Sequence, residues 1–127
     1  MYLPDTNIFI LGLRGHEPEA SFLVKAISQN KLVISVVAMG EFLAKADGEI
    51  EVGFLRLLEK FRILSIDQDD AQIAAEYRKQ GFKTKRVHLL DCFLAAQAKI
   101  NHLTLVTNDK SDFPMRDIRI ITPQRKI

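Results

Sequence analysis

Short β-branched runs alternate with stretches of helical periodicity along this sequence, and that alternation limits the fold more than any other feature. Leu32, Val33 and Ile34 form one run, Ile63 to Ile66 a second, Leu103 to Val106 and Ile118 to Ile121 two more, and Tyr2 and Leu3 begin another. Between them, apolar residues recur three and four apart: Phe22, Leu23, Ala26 and Ile27 within 17–29, and Phe54, Leu57, Leu58 and Phe61 within 50–61. Thr6 to Leu13 reads as a buried strand passing into a helix. Ser35 is a natural N-cap for a helix over 36–46, and Asp69 or Asp70 for one running to about Gln80, with Gly81 as its closing residue. The segment from His88 to Ile100 is apolar almost all round, which predicts a buried helix. Strands alternating with helices predict an α/β domain with a mainly parallel central sheet of four or five strands flanked by helices.

Length and composition narrow the class. The 127 residues suit one domain, 1–127, and 47% hydrophobic with 27% charged residues, six Gly and four Pro exclude disorder, collagen and coiled coil. A single cysteine makes no internal disulfide, so an oxidising compartment is not indicated. The longest uncharged apolar run, 32–40, is far short of the ~20 residues that span a bilayer. A cytoplasmic protein without membrane contact is expected. The net charge of +2 is too even to announce a nucleic-acid binder, but Arg78, Lys79, Lys83, Lys85 and Arg86 fall close together with no acid among them.

Several acids stand where charge is costly. Asp5 directly follows the first strand, at the strand end where open α/β sheets bind ligands. Glu41 is the sole ionisable group between Ser35 and Ala44, and Asp91 the sole acid between Val87 and Ala98. Asp109 and Asp112 follow the Leu105–Val106 strand. Each has a plainer role open to it: an Asx turn or cap for Asp5, a solvent-facing helix position for Glu41, an N-cap for Asp91, a polar turn for Asp109 and Asp112. An unpaired carboxylate in an apolar setting costs several kcal/mol or takes up a proton, and two of them about 5 Å apart repel by roughly 3 kcal/mol at an effective dielectric near 20. A cluster drawn from four segments is tolerable around a multivalent cation, and carboxylate oxygens select Mg²⁺ or Mn²⁺ over zinc. His16, His88 and His102 lack zinc-ligand spacing, and Cys92 reads as a small buried hydrophobe.

The order Leu3-Pro4-Asp5-Thr6-Asn7, Ser35 with Glu41, Asp91-Cys92-Phe93-Leu94-Ala95-Ala96-Gln97-Ala98, and Thr107-Asn108-Asp109 with Asp112-Phe113 resembles the PIN domain, and by size the VapC-type toxins. The resemblance covers essentially the whole chain. It implies a metal-dependent ribonuclease, with Asp5, Glu41 and Asp91 as ligands and Asp109 or Asp112 as the fourth acid, Asp109 being slightly favoured. It also implies site support by hydrogen bonds from Thr6, Asn7 and Thr107, a homodimer, and a cognate antitoxin. Two residues depart from the pattern: Pro4 replaces an aliphatic residue at the first strand's end, and Ala38 stands where threonine is frequent.

The chemistry expected is hydrolysis of an RNA phosphodiester assisted by one or two Mg²⁺ ions, with the basic residues at 78, 79, 83, 85 and 86 holding the phosphate backbone. The alternatives are another metal-dependent nuclease or phosphatase on the same kind of sheet, or a non-catalytic domain of the same fold. A haloacid-dehalogenase-like phosphatase wants an acid two residues after Asp5, and Asn7 stands there. A non-catalytic domain gains nothing from an acid set that only destabilises it.

Overall fold

The computed structural model describes residues 1–80 and 87–124. Its strands are β1 (Tyr2–Pro4), β2 (Ile34–Ser35), β3 (Ile63–Leu64), β4 (Thr104–Val106) and β5 (Arg119–Ile121). Its helices are α1 (Thr6–Leu13), α2 (Glu19–Ser28), α3 (Val36–Lys45), α4 (Gly48–Lys60), α5 (Gln68–Lys79) and α6 (Leu89–Ile100). All pairings are parallel. The sheet is smaller than four or five continuous strands: β1, β4 and β5 form one sheet in the order β1-β4-β5, and β2 pairs with β3 in another. A parallel bridge between Tyr2 and Leu32 and the bonds Tyr2 N to Lys31 O and Val33 N to Tyr2 O lace the two together. Strands of two or three residues carry too few ladder bonds to stay continuous, so the small sheet is joined to the larger one only through this bridge.

Parallel strands must be covered on both faces, and their side chains alternate accordingly. Leu3, Val33 and Leu105 point into a core closed by Ala74 and Tyr77 of α5 and Cys92 and Leu94 to Ala96 of α6. Leu32, Ile34 and Val106 point the other way, against Ile8 and Phe9 of α1, Leu23 of α2, Phe42 of α3, and Phe54 and Leu57 of α4. Phe54 stacks on Phe42 at 4.0 Å between centroids and meets Phe9 edge-on at 5.3 Å, which locks α1, α3 and α4 together. The stripe Phe54, Leu57, Leu58 and Phe61 is therefore a core face of α4.

Local chemistry sets most element ends. Ser35 caps α3 by accepting from Val37 N at 3.1 Å. Asn30 takes a left-handed φ of 54° after α2. Pro4 is tolerated because it is the last residue of its strand. The α5 cap differs from the expectation: Asp67 holds it, and Asp70, three residues on, reaches back to the Asp67 N–H at 3.0 Å, a reciprocal capping box. The α6 helix is less buried than its composition suggests, since Leu89 and Leu90 remain half exposed while Cys92 and Leu94 to Ala98 are buried. Gly81, Lys83, Lys85 and Arg86 lie outside the described residues.

Candidate functional site

Asp5 stands at the carboxyl end of β1, and its own N–H donates to Val106 O at 2.9 Å, fixing it beside the end of β4. Its carboxylate has two occupations. Oδ1 accepts from Ile8 N at 3.2 Å as the α1 cap, and the group is also hydrogen-bonded by the side chain of Thr107. Burial pushes the Asp5 carboxyl above the ordinary carboxylate range; those hydrogen bonds oppose the rise, and the charge of Asp112 adds to it.

Asp91 sits in the first turn of α6, with the cap position taken by His88. Its pKa is pushed up to about 6, first by burial, then by Asp112 and Glu41, with a smaller push from Asp5 and an opposing pull from His88. Glu41 faces the same place from α3, where its Oε1 accepts the Thr6 hydroxyl at 3.2 Å. Charges from three other segments, those of Asp5, Glu41 and Asp112, thus bear on Asp91.

The two candidates for the fourth acid separate in space. The short 3-10 turn Lys110–Asp112 begins at Asp109, whose carboxylate accepts from Ser111 N at 3.1 Å and from the Ser111 hydroxyl. Asp112, half-buried at the other end of that turn, is the one that raises both Asp5 and Asp91. Asp109 thus takes part in the cap of its own turn, while Asp112 is the acid whose charge reaches Asp5 and Asp91.

Of the residues expected to support the site, Thr6 bonds Glu41 and Thr107 bonds Asp5. Thr107 is fully buried, and its Oγ1 accepts from Asp109 N at 3.1 Å as well as bonding Asp5. Asn7 is exposed on the first turn of α1. Arg78 and Lys79 end α5, and Arg78 lies near enough to Cys92 to pull the thiol's pKa down against the effects of burial and Asp91.

Among the described residues no three His, Cys, Asp or Glu side chains stand close enough to hold a metal ion as they are. The donor chemistry of Asp5, Glu41, Asp91 and Asp112 still fits a hard divalent cation: all oxygen, partly desolvated, and mutually destabilising until neutralised.

Two features escaped the sequence. Gln97, fully buried, accepts from the Ser35 hydroxyl through Oε1 and donates to Leu64 O at 3.2 Å, pinning α6 to the start of α3. Ser35 lies six residues before Glu41 and Gln97 six after Asp91, so this tie and the two acids mark opposite ends of the contact between the helices. A glutamine inside an apolar helix was the available signal. The second is a cavity of about 480 Å³ lined by Asn7, Ile10, Arg14, Lys45, Ile50 and Asn108, among others. Asn108 is held there by donating to the buried Glu19 at 3.0 Å.

Comparison with known proteins bears on this geometry. Residues 2–118 match the family model described as PIN domain. Ribonuclease VapC10 of Mycobacterium tuberculosis is 30% identical over 116 residues, 91% of this chain and 87% of that protein. Among solved structures, FitAcB from Neisseria gonorrhoeae is 28% identical with a TM-score of 0.77, covering 97% of this chain and 98% of that one. A toxin-antitoxin complex from Klebsiella pneumoniae contains a chain 26% identical, with a TM-score of 0.76 and coverage of 99% and 100%.

Proposed function

This chain belongs to the PIN domain family, and from that premise we propose that it is a metal-dependent endoribonuclease, the toxin of a toxin-antitoxin pair. The observation that supports the reading is that Asp91, in the first turn of α6, feels the charges of Asp112, Glu41 and Asp5, acids that come from three other segments. The ribonuclease relative and the toxin-antitoxin neighbours support it.

Asp5, Glu41, Asp91 and Asp112 would hold Mg²⁺, or Mn²⁺ in its place, with Asp112 preferred over Asp109. When bound, the ion supplies acidification of a water for attack on phosphorus and neutralises charge on the departing oxygen. The chain supplies the rest. Thr6 orients Glu41 by its 3.2 Å bond, and the Thr107 bond favours the charged form of Asp5 against the larger effect of burial. Arg78 and Lys79, continued by Lys83, Lys85 and Arg86, hold the RNA backbone. The active form is a homodimer, its partner is an antitoxin protein, and it acts in the cytoplasm, where its RNA is.

The test compares wild type with Asp91→Asn on single-stranded RNA, with duplex DNA and p-nitrophenyl phosphate as controls, in Mg²⁺ and in EDTA. Wild type is expected to cut RNA in Mg²⁺ alone, and Asp91→Asn to lose at least 100-fold in rate while keeping its fold. Activity indifferent to EDTA, or an Asp91→Asn chain that unfolds, makes Asp91 a structural residue and ends the assignment.

A further inference from the structure

Beside the acids lies a cavity with a different chemistry, and its lining follows from helix geometry. Asn7, Ile10 and Arg14 lie three and four residues apart along one face of α1 and the residue that closes it, starting two residues past Asp5. Lys45 stands one turn after Glu41 on α3, so the face that offers Glu41 to the acids offers Lys45 to the cavity. Asn108 enters from the residue after Thr107. The cavity thus borders the site: Asn7, Lys45 and Asn108 of its lining are next to, or one turn from, Thr6, Glu41 and Thr107.

Its contents are two cations, two carboxamides and aliphatic walls, at about 480 Å³. That volume is ample for one nucleobase. Among the described residues neither Arg14 nor Lys45 has an ion-pair partner, the described pair being Lys99 with Asp117 at 2.6 Å. Two exposed cations at the rim suit phosphate, apolar walls suit the face of a base, and carboxamides suit its edge. A purely apolar protein segment would leave both charges and the Asn7 amide unanswered, the Asn108 amide being already engaged with Glu19.

We propose that this cavity binds the nucleotide next to the scissile phosphate, with Arg14 and Lys45 on the flanking phosphates and Ile50 against the base. The proposal rests on the ribonuclease reading, since it gives that reaction's substrate its seat. It makes Arg14 and Lys45 substrate-positioning residues, distinct from the basic residues at 78–86.

The test uses a fluorescein-labelled single-stranded RNA of random sequence and three variants: Arg14→Gln with Lys45→Gln, Lys45→Gln alone, and Ile50→Trp. Affinity is read by anisotropy in EDTA at 50 and 200 mM KCl, and cleavage in Mg²⁺ by sequencing the product ends, with melting curves as the check on folding. The double variant is expected to bind about tenfold or more weakly at 50 mM KCl, and to lower the salt slope by about 1.4, two phosphates at ~0.7 each on a single strand. Lys45→Gln is expected to lose about half of that slope. In cleavage, the double variant should raise KM with kcat within threefold, and Ile50→Trp should change which bases flank the cut. Wild-type affinity, salt slope and flanking bases in variants that melt normally would overturn the proposal and give the cavity to a protein partner; a fall in kcat at constant KM would overturn it too. A wild-type chain that cuts no RNA sinks the ribonuclease reading instead, while the anisotropy arm still decides whether the cavity takes RNA.

Discussion

At Asp91, a single carboxyl joins the folding problem to the chemical one. Its pKa of about 6 is above the ordinary value of 3.8, so the folded state holds the proton more tightly than the unfolded chain does. The stability this confers is full below the ordinary value and is lost as pH rises through about 6. Without metal, the protein should therefore melt at progressively lower temperature between pH 4 and pH 6, and Asp91→Asn should flatten that part of the profile. Because the group is partly open to water, the gain from Asp91→Asn at pH 7 is expected to be only about 1 kcal/mol, readable in urea. Activity has the opposite slope: at limiting Mg²⁺ it should fall roughly tenfold per pH unit below about 6, since a protonated carboxyl is no ligand. Thr107→Val tests the support of Asp5. It should cost 10- to 100-fold in kcat and shift the acid limb of the pH profile upward, because the bond that opposes the rise in Asp5 is gone; an unchanged profile would leave Thr107 with a packing role only.

Elements were readable to the extent that their signals are local. Ser35 and Asn30 end or begin helices through their own side chain or backbone, and the apolar stripe of α4 shows its period without help from the rest of the chain. The α5 cap was misplaced by two or three residues because Asp67, Asp69 and Asp70 are chemically alike, and only the reciprocal pairing of Asp67 with Asp70 selects the first. The acids at 5, 41 and 91 were legible because charge in apolar surroundings needs a reason, whereas the choice between Asp109 and Asp112 depends on the direction of one 3-10 turn. Arg14 and Lys45 carried no such signal, since a cation near a helix end is ordinary. Helix contact sets the limit on one further position. A Cβ at Gly12 would fall 2.3 Å from Leu23 Cδ1, and Leu23 is buried with nowhere to retreat. Gly12→Val should destabilise by about 1–3 kcal/mol through overpacking between α1 and α2, measured as a lower urea midpoint; a neutral outcome would mean that α2 shifts freely.

Across the whole molecule, two cores are built on opposite faces of the strands, and Asp5 and Asp112 follow the ends of strands that divide them. An ion held as proposed, by acids at the cap of α1, on α3, on α6 and in the turn after β4, requires all four to be in place and should therefore stabilise the folded chain. At 100 times its dissociation constant, Mg²⁺ is expected to add about 2.7 kcal/mol to wild type and much less to Asp91→Asn, seen as a difference in the shift of melting temperature. Equal shifts would place the ion elsewhere.

The pairing of Tyr2 with Thr104 has a consequence for the life of the molecule before it is finished. The strand that presents Asp5 finds its neighbour about a hundred residues later, and Asp112 comes later still. A growing polypeptide therefore carries its first acid long before the partners that make it dangerous have been synthesised. In this way an enzyme that attacks RNA lacks its full set of acids until residue 112 has been made.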